Sequence, residues 1–262
     1  MATRAETISN LNRCYDELEG LIGGLAEADW KVQSLCPDWN IRGVVTHSAG
    51  IENALIGWNP TGADDPPPFD KIPPFVAESK GWSSEELVAR VRSILDRRRE
   101  ELAAATDEDF ARPCGTPVGP ATYHRFMDIR VFDLWVHQRD MTYPLGRATD
   151  DAGPAAEMSL DEVHNSIGFI VGKRVGLPDG YSIAFDLTGP LERTIYAKVD
   201  GRATKVDHLD NPTVTVTSDS TTFIQLACGR IDPQAVIDEG RISWTGDPMW
   251  GDKAARSLRF TM

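Results

Sequence analysis

Residues 132–140 read FDLWVHQRD. Asp133 and His137 stand four residues apart, so on a helix both side chains project from one face. The chain has only five histidines, and His47 falls inside a second stretch of helical pattern. An aspartate and two imidazoles gathered from two helices make a three-ligand site for a divalent cation, with positions left for water or substrate. The same residues also allow a plainer arrangement, with Asp133 paired to His137 or to an arginine and both histidines serving as hydrogen-bonded structural groups. Arg130, three residues before Asp133, and Asp140, three after His137, either orient these side chains or form ordinary helix ion pairs. His124 is a spare ligand only if its helix begins near the site; otherwise it is a helix-end residue.

The flanking sequence builds a bundle. Apolar residues at Ile8, Leu11, Tyr15, Leu18 and Ile22 recur at gaps of three and four, which predicts a helix from about Ala5 to Leu25. Gly23 and Gly24 end or weaken its last turn. Asn40 is placed to cap a second helix through Ile41, Val44, Val45, Ser48, Ile51 and Leu55, with Pro60 beyond its end. His47 lies close to that apolar stripe. Residues 61–74 are rich in Gly, Asp and Pro and read as a loop. A third helix starts near Ser83 or Ser84, with Glu85 and Glu86 in its first turn, and runs to about Ala105. In it, Arg97 to Arg99 beside Glu100 and Glu101 read as a solvated face. RPCGTPVGP (112–120) is a second loop, and a fourth helix runs from Ala121 to Met141. The predicted fold of residues 1–150 is an up-and-down four-helix bundle.

After about Thr149 the pattern changes. A helix is predicted from Ser159 to Lys173. YSIAFDLTG (181–189), ERTIYAKVDG (192–201) and PTVTVTSD (212–219) alternate or are rich in β-branched residues, and so read as strands. The first two suit a hairpin. TTFIQLACGR (221–230) is a short helix with a threonine cap and Gly229 at its end, and RISWTGD (241–247) is a last strand. Residues 155–262 are therefore predicted to form a smaller α+β domain.

The formal net charge is -13, and no Lys/Arg-rich run appears, which excludes a general attraction for nucleic acid. No apolar stretch is long enough to span a bilayer, and no secretory leader is visible, so a cytoplasmic protein with no membrane partner is expected. Cys14, Cys36, Cys114 and Cys228 form no CxxC pair, which argues against a zinc knuckle or a disulfide framework. Cys36 is the cysteine nearest the site segment and reads as structural.

CPDWNIRGVVTHSAG (36–50) resembles the tryptophan-to-histidine segment of the mycothiol-dependent maleylpyruvate isomerases and their relatives, whose N-terminal domain is a DinB-like metal-binding bundle. DIRVFDLWVHQRD (128–140) is similar to that family's second metal motif. TTFIQLACGR and EGRISWTGD (239–247) resemble its sterol-carrier-protein-like C-terminal domain. RVFDLWVHQRD and VGKRVGLPDG (171–180) look like an actinobacterial subgroup whose substrate is undefined. The resemblance covers nearly the full chain in motif order. It places the metal ligands on His47, Asp133 and His137. The isomerases carry glutamate where this chain has Asp133, one methylene shorter, a departure that touches the specific isomerase assignment more than metal binding.

The resemblance implies one divalent metal, zinc by default, with nickel, cobalt, iron or manganese also suited to the ligands. It implies mycothiol as cosubstrate, activated as a thiolate towards a small electrophile, in a transfer or cis–trans isomerisation. It also implies an arginine of the C-terminal domain near the site, with Arg230 and Arg241 the two candidates; a guanidinium fork suits a substrate carboxylate. Trp39 and Trp135 read as packing residues. Two other functions use the same ligands: a metal-dependent hydrolase acting through bound water, and a non-catalytic binding protein for a small ligand.

Overall fold

The computed structural model describes residues 2–261, which form two compact units that divide between Thr149 and Asp150. The first is helical. Its long helices are α1 (Arg4–Gly23), α2 (Ile41–Leu55), α4 (Ser84–Ala104) and α6 (Tyr123–Thr142). Two short helices, α3 (Ile72–Ser79) and α5 (Asp107–Ala111), lie between them, with a two-residue ladder of β1 (Pro113–Cys114) and β2 (Ala121–Thr122) ahead of α6. Sequence-local chemistry sets the ends. Thr3 with Glu6 and Ser83 with Glu86 form capping boxes, and the Asn40 side chain accepts the Gly43 amide at 2.9 Å. Gly24 follows α1, and its N–H donates to the Leu21 carbonyl.

The helices bury Leu11, Leu18, Val44, Ile51, Leu87, Val91, Phe126 and Val131 among them. The core also contains a polar node with one residue from each long helix. Glu52 of α2 accepts from Tyr15 of α1 at 2.6 Å, from Arg98 of α4 at 3.1 Å, and twice from Arg130 of α6, at 3.0 and 2.9 Å. Arg98 is thus fully buried, which corrects the reading of Arg97–Arg99 as a solvated face at that residue, while Arg97 is exposed and Arg99 half-buried. A second correction concerns residues 61–74. Ile72 to Pro74 open α3, because Pro73 and Pro74 occupy its first turn, where no amide donor is needed.

The second unit is α+β. Its five-stranded sheet contains β3 (Ser182–Thr188), β4 (Arg193–Asp200), β5 (Arg202–Val206), β6 (Val214–Asp219) and β7 (Ile242–Gly246), in the order β5-β4-β3-β6-β7. β3 and β6 are parallel, and the other neighbours are antiparallel. The β3–β4 hairpin pairs Phe185 with Ile195, and Phe185 also stands opposite Val216 of β6. Alternation puts Ile195, Ala197, Val199, Val214 and Val216 in the core, with Asp186, Thr194 and Lys198 exposed. The helices are α7 (Pro154–Asn165), α8 (Ile167–Phe169) continuing into a π-helical turn (Ile170–Val175), α9 (Ser220–Ala227), α10 (Pro233–Asp238) and α11 (Pro248–Arg256). The helix expected from Ser159 to Lys173 therefore starts earlier, at Pro154, and is broken at Ser166. Asp219, not a threonine, caps α9 by accepting the Thr222 amide at 2.8 Å.

Candidate metal centre

α2 and α6 bring His47, Asp133 and His137 together, with one ligand atom from each lying within 4.8 Å of the others. His137 Nε2 is 3.7 Å from Asp133 Oδ1. Two donors each ~2.1 Å from a tetrahedral cation lie ~3.4 Å apart, so this pair is close to liganding separation before any adjustment. The two imidazole rings meet edge to face, 5.1 Å between centroids. Trp39, just before α2, packs on His47 at 4.5 Å and fixes the ring from behind. Two imidazoles and a carboxylate, partly buried and held on helices, fit a divalent cation with open positions.

The surrounding residues decide which atoms face inwards. Arg130 Nη1 donates to Asp133 Oδ2 at 2.6 Å, leaving Oδ1 towards His137. Burial works against ionisation of Asp133, but Arg130, His137 and His47 outweigh it and hold the carboxyl well below its usual range. On the far side of its ring, His137 Nδ1 lies 2.8 Å from Asp140 Oδ2, so Nε2 faces Asp133. Burial disfavours the imidazolium, yet Asp133 and the Asp140 hydrogen bond prevail and raise His137 to about 10. Cys36 donates its thiol to the same Asp140 oxygen at 3.1 Å. Cys36, His137 and Asp140 also cluster as potential ligands, but their separations are those of a hydrogen-bonded chain behind the imidazole.

Arg130 is itself fixed by Glu52, so the buried node of the bundle extends to Asp133. Glu52 was not anticipated from the sequence, and neither were the contacts that Tyr15, expected as a stripe residue, and Arg98, expected on a solvated face, make with it. The signal was present: Glu52 follows Ser48 by four residues, and Arg98 follows Ile94 by four, each on an otherwise apolar helical row. His124 joins neither cluster; its Nε2 lies 3.0 Å from the Thr7 hydroxyl. Trp135 packs under the Arg139 guanidinium at 3.5 Å. Arg230 and Arg241 belong to the second unit. Arg230 donates to the Cys228 carbonyl, and Arg241 to Glu239 and to the Thr222 hydroxyl.

The family model for the mycothiol maleylpyruvate isomerase N-terminal domain matches residues 11–142, half of the chain. The chain belongs to the mycothiol maleylpyruvate isomerase family. The model for that family's C-terminal domain matches residues 157–254, so both units of this family member are covered. Solved structures of the mycothiol-dependent maleylpyruvate isomerase and of a histidine-to-alanine mutant of it align over 99% of this chain and 98% of theirs, at 15% identity and a TM-score of 0.64. At that identity the likeness is one of fold. The apo form of sterol carrier protein 2 from Yarrowia lipolytica aligns over 38% of this chain and 90% of its own, with 18% identity and a TM-score of 0.26. No curated protein matches this family member. Among the described residues no helix is long and apolar enough to cross a membrane.

Proposed function

We propose that this protein is a cytoplasmic, divalent-metal-dependent transferase or isomerase that uses mycothiol against a small electrophile, with zinc at His47, Asp133 and His137. The observation that carries the reading is the convergence of these three side chains around Asp133, whose carboxylate Arg130 keeps ionised. A cation bound there supplies Lewis acidity that favours the thiolate form of a thiol reaching it. The chain's own residues set the rest. Asp140 holds the His137 ring in one orientation, Trp39 braces His47, and Arg130 takes one oxygen of Asp133 so that the other is offered. No cysteine of the chain is needed as nucleophile: Cys36 is buried, and its thiol is engaged by Asp140. Arg230 or Arg241 is proposed as the cation that binds a substrate oxygen.

The test is consumption of electrophiles by purified, metal-loaded protein with and without mycothiol. Consumption that requires both thiol and metal, and is lost in Asp133→Asn, is the expected outcome. Turnover of esters or amides without thiol would replace this reading with a hydrolase, and full metal loading without turnover in either assay would leave a binding protein.

A further inference from the structure

We propose that an apolar pocket beside the trio seats the electrophile, and that the part of the electrophile it holds is uncharged and apolar, of aryl or branched-alkyl shape. The inference rests on the thiol-plus-electrophile reading above. The pocket measures about 310 Å³, at the lower end of the ~300–1,000 Å³ typical of small-molecule sites. Ile51, Phe69, Ile72, Phe126 and Ile129 supply its apolar lining. His47, Arg130 and Asp133 line the same space, so a molecule packed among the apolar side chains lies against two of the three candidate ligands, His47 and Asp133. Phe69 is a large apolar residue left 38% exposed, with its ring 6.2 Å from that of Phe126. A ligand placed there gives this phenyl a partner.

The polar groups of the pocket argue against a charged occupant. Each of the three guanidinium nitrogens of Arg130 already donates to a carboxylate, two to Glu52 and one to Asp133. A substrate carboxylate would have to compete with those bonds, and one seated among the apolar side chains, away from the cation of the trio, would find no opposite charge, so its desolvation there would go uncompensated. A second pocket of about 600 Å³ shares His47 and Ile72 with the first, and its lining includes Asn40, Arg42, Thr46 and Lys80. Arg42 there donates to the Ser79 and Trp82 carbonyls and Thr46 to the Arg42 carbonyl, so Lys80 and the Asn40 side-chain amide are the donors offered to a polar thiol cosubstrate, and the two reactants meet at His47 from separate pockets. With an enone as electrophile, the thiol gives up its proton and its sulfur forms a C–S bond at the β-carbon, while the C=C π pair shifts to the bond between α-carbon and carbonyl carbon and the C=O π pair moves to oxygen. Protonation at the α-carbon completes conjugation. Rotation about the α–β carbon bond, now single, followed by collapse of the enolate with C–S cleavage, instead gives the isomerised alkene and the thiolate, which takes back its proton.

The test uses the metal-loaded full chain and an unreactive saturated ketone, para-fluorobenzylacetone, followed by fluorine NMR without any thiol. Benzylacetone and its para-carboxylate counterpart compete against it. The carboxylate is expected to bind at least about tenfold more weakly than the neutral ketone, because its para position sets the charge among apolar side chains. Ile129→Trp, and Ile72→Trp on a different helix, fill the pocket and should weaken fluoroketone binding at least about tenfold, with metal content unchanged. No binding to the unmodified protein, equal competition by the carboxylate, or unaltered binding in both filled variants would overturn the proposal. If the binding pattern holds and thiol-dependent turnover is absent, the pocket stands and the functional reading fails. If thiol-dependent turnover of benzylideneacetone occurs and both filled variants keep its KM, the pocket assignment fails and the functional reading stands.

Discussion

Glu52 is a carboxylate enclosed by two guanidiniums and a phenol, one from each of the other long helices. Burial opposes its charge, but Arg130 and Arg98 outweigh that cost and lower its pKa. The stability this gives is present above the unfolded pKa and is lost as pH falls through the lowered folded value. Glu52→Gln removes the buried anion shared by two arginines, leaving Arg130 only Asp133 and Arg98 only the half-buried Glu101, and should cost about 3 kcal/mol in urea unfolding of the metal-free protein; a loss near zero would mean the node is not paired as described. His137 has the opposite sign. Raised from 6.5 to about 10, it adds stability to the metal-free protein that is complete below pH 6.5 and lost as pH rises through about 10. Metal uptake competes with that proton, so chelator competition should show affinity rising by up to about tenfold per pH unit across the same window. Asp140→Asn loosens the His137 ring and should weaken metal binding about 10–100-fold with the fold intact, as read by chelator competition and circular dichroism. The spacing of Asp133 and His137 was legible because a helix fixes what lies four residues apart. The Glu52–Arg98 pair was not, because it joins different helices and shows in one dimension only as two charges on apolar rows.

Elements with strong local punctuation are readable from sequence, and those that depend on a neighbour are not. α1, α2 and α4 begin at Thr3, Asn40 and Ser83, whose side chains satisfy the first amides of the helix. β4 follows a period of two, with Ile195, Ala197 and Val199 inward, whereas β3 alternates only from Phe185 onwards because Ala184 is buried as well as Ile183 and Phe185. β5, in contrast, carries Arg202 and Lys205 on a sheet edge, where charge discourages further pairing and hides the strand pattern. α11 is nine residues long with Gly251 inside it, which reads as a break in the pattern. The glycine is there for packing: a Cβ at Gly251 would overlap the indole of Trp244 on β7. Gly251→Ala should therefore destabilise the protein by about 1–3 kcal/mol in thermal or urea unfolding, although alanine favours helices. Combining it with Trp244→Ala should remove most of the added penalty, since the clash is between those two residues.

At the scale of the molecule, the chain joins a helical unit that contains the trio to an α+β unit with its own sheet core. The net charge of -13 and the absence of basic runs agree with a small-molecule role more than with a polyanionic partner. The buried node gives the helical unit a second task besides folding. Tyr15, Glu52, Arg98 and Arg130 tie the four long helices together, and Arg130 then holds Asp133 from behind. The metal site is in this way built on buried polar contacts of the bundle, which favours a fixed ligand geometry. Elemental analysis of the purified full chain, beside His47→Ala and His137→Ala, tests this most directly. The account predicts about one divalent metal per chain in the unmodified protein and its loss in both variants, since each removes one of three ligands. Metal content unchanged in both variants would contradict it.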